Sequence, residues 1–211
     1  MPLIRKPQTA GLVQPDAPAK SQGELAKTLR EGSIDERWNA ARAAAGAADG
    51  LTLLRDALSG ESHPRVREAI FTGLARIGTV GSAEAVVPFL RSDDSNLRTG
   101  ALDALRAMPA AVAGLIPSLL KDDDADVRLL SCELARHQPA ADAGRMLAEL
   151  LAGEREANVC AAAIEVLAET GGPELLPLLE QCAARFSNDP FLVFAVGAAA
   201  QRIGSQAMNR G

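Results

Sequence analysis

Six stretches of the chain repeat one pattern of polar and apolar positions: an acidic or proline-bearing turn, then an apolar residue, then small and aliphatic side chains at helical spacing. The clearest is DDDADVRLLSCELARH from Asp122. HPRVREAIFTGLARIG begins at His63, DDSNLRTGALDALRA at Asp93, DERWNAARAAAG at Asp35, EANVCAAAIEVLAETG at Glu156 and the divergent DPFLVFAVGAAAQRIG at Asp189. The residues opening the apolar runs, Trp38, Val66, Leu97, Val127, Val159 and Leu192, lie 28, 31, 30, 32 and 33 residues apart. A nearly fixed period of this length is the signature of stacked helix pairs, each too small to bury its own apolar face. The runs themselves are the second helices. First helices are predicted between them, near 22–31, 50–59, 82–91, 111–120, 142–152 and 173–184.

Punctuation agrees with this division. Ser33 followed by Glu36 forms a capping box, Asp94 and Asp124 are suited to cap second helices, and Pro64 and Pro190 sit where a first-turn proline is tolerated. Gly60, Gly78, Gly153, Gly171 and Gly204 mark expected helix ends. Pro88, Pro117 and Pro177 instead fall inside first helices, where a proline removes a hydrogen bond and is expected to bend the helix, as a curved stack can use. In the second helices Ala69, Phe71, Gly73 and Leu74, and their counterparts such as Leu130, Cys132 and Leu134, face the core.

Composition narrows the class. Hydrophobic residues make up 47% but aromatics only 3%, with no Tyr, which favours close helix packing over strands. Residues 1–20 carry Arg5, Lys6 and Lys20 against Asp16; the remainder carries 19 basic and 26 acidic side chains, net −7. An acidic body is a poor counterion for nucleic acid or for an anionic membrane, so neither is expected as a partner. No apolar leader follows Arg5 and Lys6 and no run is long enough to span a membrane, so the expected location is cytoplasmic. Cys132, Cys160 and Cys182 lie in apolar helical runs, as buried small hydrophobes do in a reducing compartment.

Residues 1–20 hold four prolines and are read as an extended or disordered tail; its two apolar islands, Leu3-Ile4 and Leu12-Val13, leave open a short docking segment that adds to a partner or folds back over the end of the array. The repeat array is placed at 21–204 and a short C-terminal tail at 205–211.

These features resemble HEAT-like repeat proteins, in particular the short repeats of the phycobilisome-lyase group. The resemblance rests on the helix-pair period, the first-helix prolines, the acidic turns and the pairs Val66-Arg67, Leu97-Arg98 and Val127-Arg128. It implies an all-α fold, a right-handed α-solenoid of about six helix pairs, and an Asp–Arg ladder joining the turns of adjacent repeats, in which Arg67, Arg98 and Arg128 follow turns carrying Glu61, Asp93 or Asp94, and Asp122 to Asp124; an anion-binding arginine stripe is the other reading. Asn39, Cys160 and Val193 stand where the first, fifth and sixth repeats are expected to have that arginine. An iron-dependent hydroxylase family of similar fold uses His-Glu dipeptides as ligands, and none occurs here. His63 and His137 have no second ligand at a metal spacing, and the Asp122–Asp126 turn lacks the Gly and terminal Glu of a calcium loop. No metal, cofactor or catalytic residue is assigned.

The positions left for function are the outward columns of the second helices. One column reads Thr72, Asp103, Glu133, Glu165 and the next Ala75, Arg106, Arg136, Ala168, with Arg76 and Glu169 alongside. Leu129 adds an apolar contact. Two readings are open: charges that neutralise one another on an ordinary surface, or a docking strip for a protein. Phe191 and Phe194 align with columns that are polar in most repeats. They pack under the 183–190 connection together with Phe186, or they form a patch for a partner or for self-association. The expected function is a non-enzymatic protein-binding adaptor. Asn158–Ala163 and Arg185–Phe194 are similar to HEAT proteins of bacterial two-component or chemotaxis signalling, and the lyase resemblance leaves bilin attachment as the alternative.

Overall fold

The computed structural model describes residues 21–210, with side chains to residue 205. Among these residues there is no strand. The first helices are α1 (Gln22–Glu31), α3 (Gly50–Gly60), α5 (Val80–Val86) with a 3-10 turn Val87–Arg91, α7 (Pro109–Val112) with α8 (Ile116–Leu119), α10 (Ala140–Gly153), and a 3-10 turn Pro173–Leu175 leading into α12 (Leu176–Arg185). The second helices are α2 (Ile34–Ala44), α4 (Pro64–Ile77), α6 (Ser95–Arg106), α9 (Ala125–Arg136), α11 (Ala157–Thr170) and α13 (Pro190–Arg210). Each second helix packs on its own first helix and on the second helices before and after it. An α-solenoid of six helix pairs results.

The caps set the register. Ser33 accepts from the Glu36 N–H while the Glu36 carboxylate returns to the Ser33 N–H, completing the expected capping box; Ser21 and Glu24 do the same for α1. Asp94, Asp124 and Asp189 each accept backbone N–H bonds in the first turn of α6, α9 and α13. Gly78 ends α4 with φ +63°, a conformation glycine adopts at no steric cost. Gly204 does not end a helix: α13 continues to Arg210. A lone glycine costs a helix only about 1 kcal/mol, and Gln, Ala, Met and Arg follow it.

The three first-helix prolines break their helices outright rather than bending them. Pro88 lies in the 3-10 turn after α5, Pro117 in the first turn of α8 and Pro177 in the first turn of α12. In the fourth repeat the break leaves two four-residue pieces. A groove of about 550 Å³ opens there between α8 and α10, lined by Pro117, Leu120, Met146, Glu149 and Leu150, with the Arg128 and Glu154 side chains also in its wall.

One continuous core runs through the stack. Leu54, Ile70, Leu74, Leu90, Leu105, Leu134, Leu147, Ile164, Leu167 and Leu179 are almost completely buried, each contributing about 1.5–3 kcal/mol by removal from water. Cys132, Cys160 and Cys182 are buried free thiols among them, and burial pushes Cys132 and Cys160 up to about 12. Ser131, also buried, donates to the Val127 carbonyl at 2.7 Å.

Candidate functional site

Two side-chain systems run along the stack, one at the turns and one on the outward face of the second helices. The turn system is the ladder. In the fourth residue after the cap, Arg37, Arg67, Arg98 and Arg128 all reach back to carbonyls of the preceding turn: Gly32, Glu61 and Ser62, Ser92, and Asp122 and Asp123 respectively. The first repeat therefore keeps its arginine. It is Arg37, and the assignment of Trp38 and Asn39 to the Val-Arg columns is two residues out of register, since counting from the caps places Glu36 and Arg37 there.

The acid of each rung comes from the following repeat. Glu61 receives Arg37 through Nε at 2.7 Å and Nη2 at 3.1 Å, and Glu154 receives Arg128 with the same two distances. Arg67 meets Asp94 at 3.2 Å. Arg91, rather than Arg98, crosses to Asp122. The ladder is thus Glu–Arg at its two most buried rungs and Asp–Arg elsewhere. Burial would raise the Glu61 and Glu154 carboxyls, but their arginines together with nearby backbone N–H donors outweigh it and hold both below the usual carboxylate range. At the fifth repeat Cys160 replaces the arginine. Arg185 of α12 lies nearby, giving its guanidinium to the Leu151 and Ala152 carbonyls at 2.6 and 3.1 Å.

The outward system divides into three zones. At the N-terminal end the guanidinium groups of Arg42 and Arg65 both lie over the Trp38 ring, 4.6 and 4.9 Å from its centre. Next, a groove of about 590 Å³ runs between α4 and α6, with Phe71, Thr72, Leu97, Gly100 and Asp103 in its lining. Gly100 lets the helices close there, since a Cβ would come within 3.1 Å of the Phe71 ring.

The middle zone holds the charged columns. Arg106 lies 3.5 Å from Asp103 on its own helix and 3.5 Å from Glu133 on the next, and its Nε donates to His137 Nε2 at 3.2 Å. Arg136 meets Glu133 at 3.3 Å, Glu165 at 3.1 Å and Glu169 at 2.5 Å, and Arg202 lies 4.0 Å from Glu169. Both expected i,i+3 pairs form, but the same arginines also bridge consecutive repeats. Thr72, Asp103, Glu165 and Glu169 are exposed, Arg106, Glu133 and Arg136 half-buried, and Ala168 is buried rather than outward. Leu129 is half-buried against the core.

The third zone is apolar. Phe191 and Phe194 stand 72% and 74% exposed on α13, whereas Phe186 packs against the core beneath the Arg185 guanidinium. Of the two readings of the phenylalanines, the packed one holds for Phe186 alone. By register from the caps, Phe191 and Phe194 continue the columns of Asp126 and Leu129 in α9 and Asn158 and Ala161 in α11. The C-terminal third of the strip is therefore an apolar row beside an acidic one. Among the described residues no group of three or more His, Cys, Asp or Glu side chains is arranged to hold a metal ion, and no helix is long and apolar enough to cross a membrane.

A stack of helix pairs joined by turn ladders, with its variable side chains along the second helices, defines the class of α-solenoid repeat proteins. Within it the chain belongs to the HEAT-repeat family: a family model described as HEAT repeats matches residues 24–106 and 112–205. No match was found among curated proteins. Among solved structures, an archaeal HEAT-like repeats protein from Thermococcus onnurineus is 15% identical, with TM-score 0.52, covering 86% of each chain. An engineered protein is 19% identical, with TM-score 0.46, over 86% of this chain and 98% of its own. The complex of CpcE and CpcF of phycocyanin lyase from Nostoc sp. gives 13% and 0.40, over 93% of this chain and 100% of the other. At these identities the likeness is one of fold.

Proposed function

We propose that this protein is a non-enzymatic cytoplasmic scaffold that binds another protein along the second-helix strip, with Phe191 and Phe194 as its anchors. The observation that carries this is their exposure. Two adjacent phenylalanine rings stand in solvent, Phe191 on a column that is polar in the other five repeats and Phe194 on the column of Leu129 and Ala161, and contiguous exposed apolar surface of this kind marks an interaction site. The Arg106 and Arg136 networks hold the neighbouring carboxylates in fixed positions, so the strip meets a partner preorganised. Burial of all three free thiols, Cys132, Cys160 and Cys182, supports a packing role for them rather than a nucleophilic one. A role in bacterial signalling rests on the similarity of Asn158–Ala163 and Arg185–Phe194 to HEAT proteins of two-component or chemotaxis systems.

The test is capture of partners from the native host by the wild type, by Phe191→Ser/Phe194→Ser and by Glu133→Ala/Arg136→Ala, with matched thermal melts. Loss of the same partner with both double variants is expected, at unchanged melting temperature for Phe191→Ser/Phe194→Ser and at a lowered one for Glu133→Ala/Arg136→Ala, which also removes ties between repeats. Retention of every partner by both removes the strip as the docking surface. The groove between α4 and α6 favours a second reading, a bilin lyase or lyase subunit, because its volume falls in the range of small-molecule sites. A bilin absorbance shift on mixing with the protein would support that reading against the scaffold.

A further inference from the structure

The apolar third of the strip has the chemistry of a particular occupant, and that occupant is encoded in the same chain. Phe191 and Phe194 offer two exposed rings, with Ala161 beside them. Next to this row Glu165 is 68% exposed, and its contact with Arg136 is shared with Glu133 and Glu169. Across the described part of this network four carboxylates, Asp103, Glu133, Glu165 and Glu169, are served by three guanidinium groups, Arg106, Arg136 and Arg202. A complementary ligand therefore carries a pair of aliphatic side chains followed directly by positive charge. Leu3-Ile4-Arg5-Lys6 is such a sequence, in a segment of net charge +2 attached to a body of net charge −7.

Length is compatible with binding in the same molecule. Six second helices stacked 8–10 Å apart place α13 about 40–50 Å from the first repeat. Crossing from the start of α1 to the start of α13 adds one helix length, about 16–21 Å, for a diagonal of about 43–54 Å. From Ile4 to Ser21 the chain spans at most about 56–61 Å. The connection reaches with little slack, which suits a segment laid along the strip.

Resting on the docking reading above, we propose that Leu3–Lys6 occupies the C-terminal third of the strip of its own molecule, with Leu3 and Ile4 on Phe191 and Phe194 and Arg5 and Lys6 beside Glu165 and Glu133. The scaffold is then self-covered, and a protein partner binds by displacing the segment.

The experiment uses the full chain. Because the three native cysteines are buried, Thr9→Cys provides one accessible thiol for a nitroxide spin label, and paramagnetic broadening is read on backbone amides by NMR. Loss of the Phe191–Ala198, Ala161 and Glu165 signals is expected, with recovery when Leu3→Asp/Ile4→Asp is added to the labelled chain. Unbroadened α13 amides in the labelled wild type overturn the proposal. So does broadening that appears when labelled chains without isotope are mixed with unlabelled isotopic chains, because the segment then lies on a second copy. If partner capture stays sensitive to Phe194→Ser while the broadening is absent, the docking reading stands and this inference alone falls.

Discussion

Removing the Arg128 guanidinium is the sharpest test of how the repeats are joined. The Glu154 side chain is only 4% exposed and accepts four hydrogen bonds: two from Arg128, and one each from the Arg155 and Glu156 N–H groups at 2.8 and 2.9 Å. Arg128 also serves the Asp122 and Asp123 carbonyls. Arg128→Met keeps much of the aliphatic stem but leaves a buried carboxylate with two backbone donors and no counter-charge. Breaking a buried pair from one side costs about 3–5 kcal/mol. The groove beside α8 admits water to the released carbonyls, so the expected loss lies near the lower end, about 3 kcal/mol. Glu154→Gln leaves an amide oxygen for the backbone donors and is expected to lose about 1–2 kcal/mol. The double variant carries no unpaired buried charge and should be more stable than Arg128→Met alone. Urea unfolding followed by circular dichroism measures all three. The pH dependence has a definite sign. Glu154 has a folded pKa below its unfolded value of 4.5, so the pair's stabilisation is present above about pH 4.5 and is lost as pH falls through the folded value. Arg128→Met should remove most of that slope. If Arg128→Met costs no more than Arg145→Met, a variant of the exposed arginine lining the same groove, the ladder does not hold these repeats together.

Further outcomes follow from the same geometry. Phe191→Ser/Phe194→Ser should leave thermal stability within about 0.5 kcal/mol of wild type, because both rings are solvent-exposed, while partner capture is lost. A thiol reagent should label none of Cys132, Cys160 and Cys182 in the native protein and all of them in denaturant; rapid native labelling of any one would show that its helix opens. Gly50→Ala places a Cβ 2.1 Å from the Ala44 carbonyl oxygen, which forces backbone movement and a loss of about 1–3 kcal/mol. At Gly60 nothing lies within 4 Å of that position, so Gly60→Ala should stabilise α3 by about 0.4–1 kcal/mol in the same melts.

Much of the fold was legible because the chain states it six times. The second helices, their caps and the first-helix prolines all fall where repetition puts them. The register error at the first repeat has a definite cause. Trp38 is the apolar residue that an apolar column attracts, yet the Ser33–Glu36 capping box had already fixed the helix start, and counting from that cap finds Arg37. Glu61, Asp94 and Asp122 lie in turns whose acidic residues marked them for the ladder, whereas Glu154 was harder to see, since it comes from the turn of the following repeat and resembles an ordinary surface glutamate until stacking buries it. Phe191 and Phe194 stood out as misplaced in their columns. Spacing could not separate them from Phe186, because whether a ring is covered depends on how the 183–190 connection crosses α13. Gly204 shows that a glycine signals a helix end only when its neighbours favour leaving the helix too.

The broken first helix of the fourth repeat has a mechanical consequence. Along the turn edge the Arg37, Arg67, Arg91 and Arg128 contacts act as cross-ties, and the Arg106 and Arg136 networks add a second line of ties on the second-helix face. The groove between α8 and α10 has the buried Arg128–Glu154 tie in its wall, and the exposed Lys121–Glu149 pair spans it at 2.8 Å. An exposed pair of this kind holds far less than the buried Arg128–Glu154 tie at the same junction. The fourth and fifth repeats are thus pinned firmly at the turn and latched loosely beside Pro117, where the first helix is interrupted.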